Sequence, residues 1–123
     1  MEIVINTQVK QGAINITDQI NEKISSGKSC LIYCPHTTSS IIINEGNDED
    51  VIKDFFSALK EIVPKLDFLH MEGNSSAHIK SILCGSSVQI PIKSGKLNLG
   101  RWQKVFFLEF DGPRKRKIII EVT

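Results

Sequence analysis

The residues best suited to chemistry in this 123-residue chain are its three histidines, His36, His70 and His78. The sequence pattern predicts each of them at a strand end, in a loop or at a helix start, where a rigid scaffold aims a side chain and leaves it accessible. Imidazole transfers protons near neutral pH and binds metals through its neutral nitrogen. The three histidines can therefore form a general acid–base set or a divalent-metal site, although their spacing matches no standard zinc motif. Solvated or capping histidines are the alternative.

Glu45 is the carboxylate whose position best suits chemistry, because it lies between the end of a predicted strand and the start of a predicted helix. It can act as a base, as a metal ligand or as a stabiliser of developing positive charge. An ordinary surface glutamate is the alternative. Asn47 or Asp48 is predicted to cap the helix that follows.

Further positions toward the C-terminus carry groups that can contact a ligand. Trp102 is the only tryptophan, and a tryptophan is more often a core or interface anchor than a stacking platform. Gln103 can hydrogen-bond a polar ligand or be solvated. Arg114 opens the basic run 114–117 after a turn at Asp111, and it is the member of that run predicted to reach a pocket. The rest of the run is predicted to protect an edge strand with its charges.

The cysteines and the hydropathy pattern indicate the cellular compartment of the protein. Cys30, Cys34 and Cys84 are an odd number, unlike a disulfide framework, and no second cluster completes a zinc site. The sequence favours small buried thiols in a reducing compartment over a redox or metal role. No segment approaches the roughly 20 apolar residues of a membrane span, and the N-terminal residues lack the features of a signal peptide. We therefore expect a cytoplasmic protein without a membrane partner.

Composition places the chain among ordinary globular proteins. Hydrophobic residues make up 41% and charged residues 24%, which argues against disorder. Fifteen basic and fourteen acidic residues leave a net charge of +1, so bulk charge predicts no nucleic-acid partner. The length suits a single domain spanning residues 1–123, without repeats or linkers.

These candidate residues must be positioned by strands and a few helices. Residues 48–63 form the clearest helix, because their apolar residues follow a 3.6-residue period and Pro64 ends it. Two short helices are predicted, one opening at Thr17 and one over residues 77–84. Strands are predicted at residues 2–9, 29–33, 38–44, 87–92, 104–110 and 115–122, with a tight turn joining the second and third. The pattern indicates an α+β fold with a largely antiparallel sheet, one long helix and two short ones.

Four groups of residues follow one another in a recognisable order. They are Pro35–Ser40 with Ile43-Asn44-Glu45, His70 with Gly73-Asn74 and Ala77–Ser81, Gly95-Lys96-Leu97 with Leu99-Gly100 and Trp102-Gln103, and Glu109–Arg114. Each group alone is a weak signal, but their order within 123 residues is specific. Together they resemble the YjbQ family, which is also described as secondary thiamine-phosphate synthase. The chain departs from the family pattern at Gly46, where asparagine is more usual, and at Arg101, where threonine is common.

The resemblance implies a compact α+β fold that assembles as a homotrimer, with a polar site near the subunit contacts. It also implies low-level coupling of a pyrimidine pyrophosphate with a thiazole phosphate, which releases pyrophosphate and makes the partner a small phosphorylated substrate. Lys80 and Arg114, with Mg²⁺ as an optional cofactor, would stabilise the departing pyrophosphate. The positions marked in the family correspond to His36, Glu45, His70 and His78 as catalytic residues and to Lys80, Trp102, Gln103, Asp111 and Arg114 as substrate-binding residues.

Two other functions are compatible with the same residues. A metal-dependent hydrolase would hold a divalent ion such as Zn²⁺ with His36, His70 and His78 and would also use Glu45. A non-catalytic trimeric module would bind a small anionic ligand or a protein partner without turning it over. The residue types alone leave these alternatives open.

Overall fold

The computed structural model describes all 123 residues, and it contains eight strands and three helices. The strands are antiparallel wherever they pair. In chain order the elements are β1 (Glu2–Asn6), β2 (Gly12–Asn15), α1 (Thr17–Lys23), β3 (Ser29–Tyr33), β4 (Ser39–Glu45), α2 (Glu49–Ile62), α3 (Ser75–Cys84), β5 (Ser87–Lys93), β6 (Lys96–Leu97), β7 (Gln103–Glu109) and β8 (Lys115–Val122).

The strands form two sheets. The larger has five strands in the order β1-β8-β3-β5-β6, and the smaller has three in the order β2-β7-β4. The main hydrophobic core includes side chains of both sheets and of α1, such as Ile32 and Ile118 from the larger sheet and Phe107 from the smaller one. Each fully buried aliphatic side chain of this kind contributes roughly 1.5–3 kcal/mol of transfer free energy. The fold is therefore held chiefly by β-branched side chains that alternate into the space between the sheets.

A second core lies on the other face of the three-stranded sheet, under α2 and α3. Phe106, Leu108 and Phe110 of the β7 segment pack there against Leu59 of α2 and Ala77 of α3. Since neighbouring residues of a strand point to opposite faces, β7 contributes to both cores and is buried from Val105 to Glu109. The helices thus form a third layer, and they bring α3 against the start of β4.

The predicted α+β class, with antiparallel strands, one long helix and two short ones, is confirmed. The long helix has the predicted limits within one residue: the Asp48 side chain accepts the Asp50 amide at its start, and Pro64 follows its end. No helix of the protein is both long enough and apolar enough to cross a bilayer.

Three sequence expectations about strands are wrong in detail. β3 and β4 are not a hairpin, because β3 lies in the five-stranded sheet and β4 in the three-stranded one. β8 is an interior strand between β1 and β3, so its basic residues do not protect an edge. The strand predicted over residues 2–9 ends at Asn6, and a separate short strand, β2, begins at Gly12.

Candidate functional site

The three-stranded sheet has two ends, and the predicted site residues divide between them. At the Ser39 end, Ser39 of β4 pairs with Glu109 of β7. At the Glu45 end, Glu45 pairs with Gln103. The six residue steps of β4 between Ser39 and Glu45 span about 20 Å.

Asp111 at the Ser39 end is held by three side chains. Its carboxylate accepts hydrogen bonds from Lys10 Nζ at 2.5 Å, Asn74 Nδ2 at 2.9 Å and Arg114 Nη2 at 2.8 Å. The Lys10 contact, followed by that of Asn74, holds the pKa of Asp111 far below its usual range despite burial. Asp111 is therefore a fixed anion that ties β8, α3 and the segment after β1 together. Arg114 is committed to this ion pair, and its side chain is half exposed.

Next to Asp111 lies a cavity of about 780 Å³, which we call the Lys80 cavity. It opens between the C-terminal half of α2 and the start of α3. Lys80, predicted to bind substrate, lines it and is only 6% exposed. Three further lysines, Lys10, Lys60 and Lys65, also line it. Lys10 is paired with Asp111, and Glu61 also lines the cavity. An anion entering this cavity would therefore meet the positive charges of Lys60, Lys65 and Lys80.

Helix α3 separates the Lys80 cavity from the histidines. Residues 78 and 80 of a helix point about 200° apart around its axis. Accordingly, Lys80 lines the cavity beside α2, whereas His78 lines two clefts elsewhere on α3.

His70 and His78 form a pair in the first of these clefts, the His70 cleft, which has a volume of about 550 Å³. Their ring centroids are 5.1 Å apart in an edge-to-face arrangement. Phe68, Leu69 and Ile79 supply an apolar lining. Such a cleft suits a flat heteroaromatic ring that needs both an apolar surface and a proton donor or acceptor.

His36 and His78 line the second cleft, the His36 cleft, of about 330 Å³. His36 Nε2 lies 3.0 Å from the backbone nitrogen of Lys117 and 3.1 Å from its backbone oxygen. In one neutral tautomer Nε2 accepts from the amide, and in the other it donates to the carbonyl. Burial, reinforced by the nearby Arg116 charge, lowers the pKa of His36. His36 is thus suited to hydrogen bonding as a neutral ring rather than to carrying charge.

Within one chain the three histidines do not share a single pocket. His78 lines a cleft with each of the other two, but His36 and His70 line no cleft together. No group of three His, Cys, Asp or Glu side chains is arranged to hold a metal ion. The residues of a single chain therefore do not fit the predicted site for Mg²⁺ or Zn²⁺.

The remaining predicted residues lie at the Glu45 end of the sheet. Glu45 Oε2 accepts the Asn47 amide at 2.7 Å and so shapes the turn into α2. Gln103 Oε1 accepts the Gly100 amide at 2.9 Å and closes the turn before β7. Trp102 is 49% exposed, with the Arg101 guanidinium carbon 4.5 Å from its ring centroid. Trp102 is therefore not a core residue, and its exposed ring can contact a ligand or a neighbouring subunit.

Sequence reasoning missed the buried ion pair behind the Ser39 end. Glu109 accepts from Arg116 Nε at 2.9 Å and from Thr7 Oγ1 at 2.6 Å, and Arg116 also donates to Thr38 Oγ1 at 2.8 Å. Burial alone would raise the pKa of Glu109, but the hydrogen bonds from Arg116 and Thr7 outweigh it and lower the pKa. The available signal was an acidic residue within the apolar run of β7. The cavity lysines Lys10, Lys60 and Lys65 were also missed, since their spacing carries no motif.

The sequence of this chain is similar to proteins of one family. The family described as UPF0047 protein YjbQ-like matches residues 1–123. A UPF0047 protein of Archaeoglobus fulgidus is 40% identical over 125 residues, covering 98% of both chains. The UPF0047 protein YugU of Bacillus subtilis is 44% identical, covering 96% of this chain and 94% of its own.

Solved structures agree with the fold. An uncharacterised conserved YjbQ/UPF0047 protein of Clostridium acetobutylicum superposes with a TM-score of 0.93 at 43% identity, covering 100% of this chain and 99% of its own. A conserved hypothetical protein of Thermus thermophilus gives a TM-score of 0.95 at 36% identity, with the same coverage.

Proposed function

Since the chain belongs to the UPF0047 protein YjbQ-like family, we propose that it is an enzyme of the thiamine-phosphate-synthase-like type. It would join a pyrimidine pyrophosphate to a thiazole phosphate and release pyrophosphate. The observation that carries this proposal is the Lys80 cavity, in which Lys60, Lys65 and Lys80 meet beside the ion pair of Lys10 with Asp111. A phosphorylated metabolite is the ligand class that such a cavity favours.

The coupling step requires positively charged groups beside the departing pyrophosphate. The carbon–oxygen bond to pyrophosphate breaks, the thiazole nitrogen forms the new carbon–nitrogen bond, and the electron pair leaves with pyrophosphate. Negative charge therefore grows on the departing oxygen, and preorganised positive groups lower the barrier. Lys80, with Lys60 and Lys65 at the cavity lining, would hold this leaving group.

The histidine clefts would receive the ring portions of the substrates. The apolar lining by Phe68, Leu69 and Ile79 accommodates an aromatic ring, and the His70–His78 pair offers hydrogen bonds to ring nitrogens. His36, as a neutral ring, would orient a polar substituent in the neighbouring cleft through a hydrogen bond.

The Glu45 end would complete the site from a neighbouring subunit. Glu45, Trp102 and Gln103 lie about 20 Å along β4 from the Ser39 end, too far to contact a ligand held by the histidines of the same chain. A homotrimer that places one subunit's Glu45 end against another's Ser39 end brings the two halves together. Exposed apolar side chains near the histidines, including Leu69, Ile82 and Leu83, would be covered in that assembly. The free thiols favour a cytoplasmic setting for this enzyme.

The test is a coupling assay with purified protein, the pyrimidine pyrophosphate and the thiazole phosphate, in which thiamine phosphate and released pyrophosphate are both quantified. We expect equal amounts of the two products. We also expect that His78→Ala abolishes turnover while the melting temperature stays within a few degrees, because a polar rim residue contributes little packing energy.

Lys23→Ala, an exposed change at the end of α1, is the matched control and should retain activity. Saturable binding of both compounds without any product would reject the enzyme and favour a ligand-binding module. Release of inorganic phosphate or pyrophosphate without coupling would instead indicate a hydrolase.

A further inference from the structure

Lys80 differs from every other buried charged residue of the protein. The others are Glu109, Asp111 and Arg116, and each is held in an ion pair. None of the salt bridges or side-chain hydrogen bonds of the chain involves Lys80. Burying an unpaired ammonium costs free energy, so this position is unfavourable for stability alone. A side chain kept in such a place is a candidate for chemistry.

The surroundings of Lys80 favour its neutral amine. Burial lowers the pKa of Lys80. Lys10, Lys60 and Lys65 line the same cavity, as do the carboxylates of Glu61 and Asp111. The Asp111 carboxylate is bonded to Lys10, Asn74 and Arg114 and not to Lys80. Desolvation in a pocket is one of the devices that turn a lysine into a nucleophile.

We propose that the amine of Lys80 forms an imine with a small aldehyde or ketone that carries a phosphate or carboxylate group. The amine nitrogen adds to the carbonyl carbon and gives a carbinolamine. That intermediate loses one water, which takes its oxygen from the carbonyl and its two hydrogens from the amine, and the C=N bond remains. Hydrolysis reverses the step, so no oxidant, reductant or further reactant is needed.

The cavity selects the anionic substituent. The exposed side chains of Lys60 and Lys65 can hold a phosphate or carboxylate while Lys80 lies deeper in the protein. Asn74 Oδ1, buried without a hydrogen-bond partner, can accept a hydroxyl group of the same ligand. A volume of about 780 Å³ leaves room for a compound of metabolite size.

Imine formation goes beyond the proposed coupling reaction. Coupling uses the protonated amine of Lys80, which the negative charge of a bound pyrophosphate would stabilise, whereas the imine forms from the neutral amine of the cavity without pyrophosphate. The experiment uses pyridoxal 5′-phosphate, an aldehyde with a phosphate group, as the probe. The whole protein is incubated with a limiting amount of the probe, reduced with borohydride and digested, and each lysine-containing peptide is quantified by mass spectrometry. We expect the label on Lys80 ahead of the exposed lysines, and we expect an excess of inorganic phosphate to suppress it.

Lys80→Arg should lose this label, since a guanidinium keeps the charge but forms no such imine under these conditions. Lys23→Arg, an exposed change at the end of α1 and outside the cavity, is the matched control and should keep the label on Lys80. Quantification of the labelled peptides of the unaltered protein tests the proposal even if Lys80→Arg fails to fold. A label spread over exposed lysines with Lys80 unmodified would overturn the proposal. Lys80 labelling in a protein without coupling activity would reject the proposed function alone, whereas coupling without Lys80 labelling would reject the imine alone.

Discussion

At the scale of single residues, His36 shows how burial decides what a histidine can do. Burial and the nearby Arg116 charge lower its pKa, and a hydrogen bond with the Lys117 backbone opposes that shift only in part. The site therefore gains a ring that favours its neutral form, and the protein gains a dependence on pH. This dependence can be measured without knowing the substrate.

We expect the free energy of unfolding to fall as the pH is lowered from about 7 to about 5, because of His36. Burial, followed by the Arg116 charge, lowers the pKa of His36 in the folded state. The unfolded chain consequently binds this proton at a higher pH than the folded one does. The contribution of neutral His36 is complete above the unfolded pKa and is lost as the pH falls toward the folded pKa. Chemical denaturation at several pH values should show this slope, and His36→Gln should flatten it.

The matched control is His70→Gln, since His70 is exposed and makes no contact with the backbone of another element. The slope of this variant should equal that of the unaltered protein. An unchanged slope in His36→Gln would mean that folding does not lower the pKa of His36.

The sequence could place individual residues but not their partners. A histidine after Cys34-Pro35 and an aspartate before Gly112-Pro113 were recognisable because loop ends carry local signals. The partner of Asp111 is Lys10, which lies 101 positions away in the chain. No local pattern reports such a pair, and the same holds for the lysines that meet around Lys80.

At the scale of elements, α2 was predictable because its signals are local. The 3.6-residue period, the cap at Asp48 and the stop at Pro64 all lie within the segment. The depth of each apolar residue was not predictable, because it depends on the sheet beneath. Leu59 is buried against that sheet, whereas Ile62 is 66% exposed.

This difference gives a test of the second core. Leu59→Ala should lower the free energy of unfolding by about 2–5 kcal/mol, because it leaves a cavity beside Phe106 and Phe110. Ile62→Ala, its matched control on the same helix, should change it by no more than about 0.5 kcal/mol. Urea or guanidinium unfolding of the two variants measures both values. Equal losses would show that Ile62 is covered in solution by another subunit.

The assignment of strands to sheets was beyond local signals. β3 and β4 are adjacent in sequence and rich in β-branched residues, which favours a hairpin. They separate because the apolar side chains of each strand pack from opposite sides into the main core. The same division buries both faces of β7. In the sequence, such a strand is only a run of apolar residues, and other buried segments give the same run.

At the scale of the whole molecule, the predicted site residues form two groups that one chain does not bring together. The Ser39 end carries the histidines, Lys80 and Asp111, and the Glu45 end carries Trp102 and Gln103 beside Glu45. The resemblance to a family placed all of these residues in one set, whereas distance along β4 separates them. Contact between subunits reconciles the two observations, and the exposed Trp102 and Leu69 suit such a contact.

A subunit-mixing experiment tests this arrangement. Glu45→Gln and His78→Ala should each be inactive alone in the coupling assay. If every site takes its Glu45 end from one subunit and its Ser39 end from the next, a randomly mixed trimer of the two variants should regain about a quarter of the original activity. Co-expression of the two chains with different tags provides the mixture, and light scattering gives its size.

The matched control mixes His70→Ala with Lys80→Ala, whose changes lie at the same end of the sheet. Every site in that mixture carries one altered residue, so no activity should return. Recovery confined to the first mixture requires that the two ends meet across a subunit boundary. A mass of one chain by light scattering, or the absence of recovery in mixed trimers, would exclude a shared site, because a single chain holds the two groups about 20 Å apart.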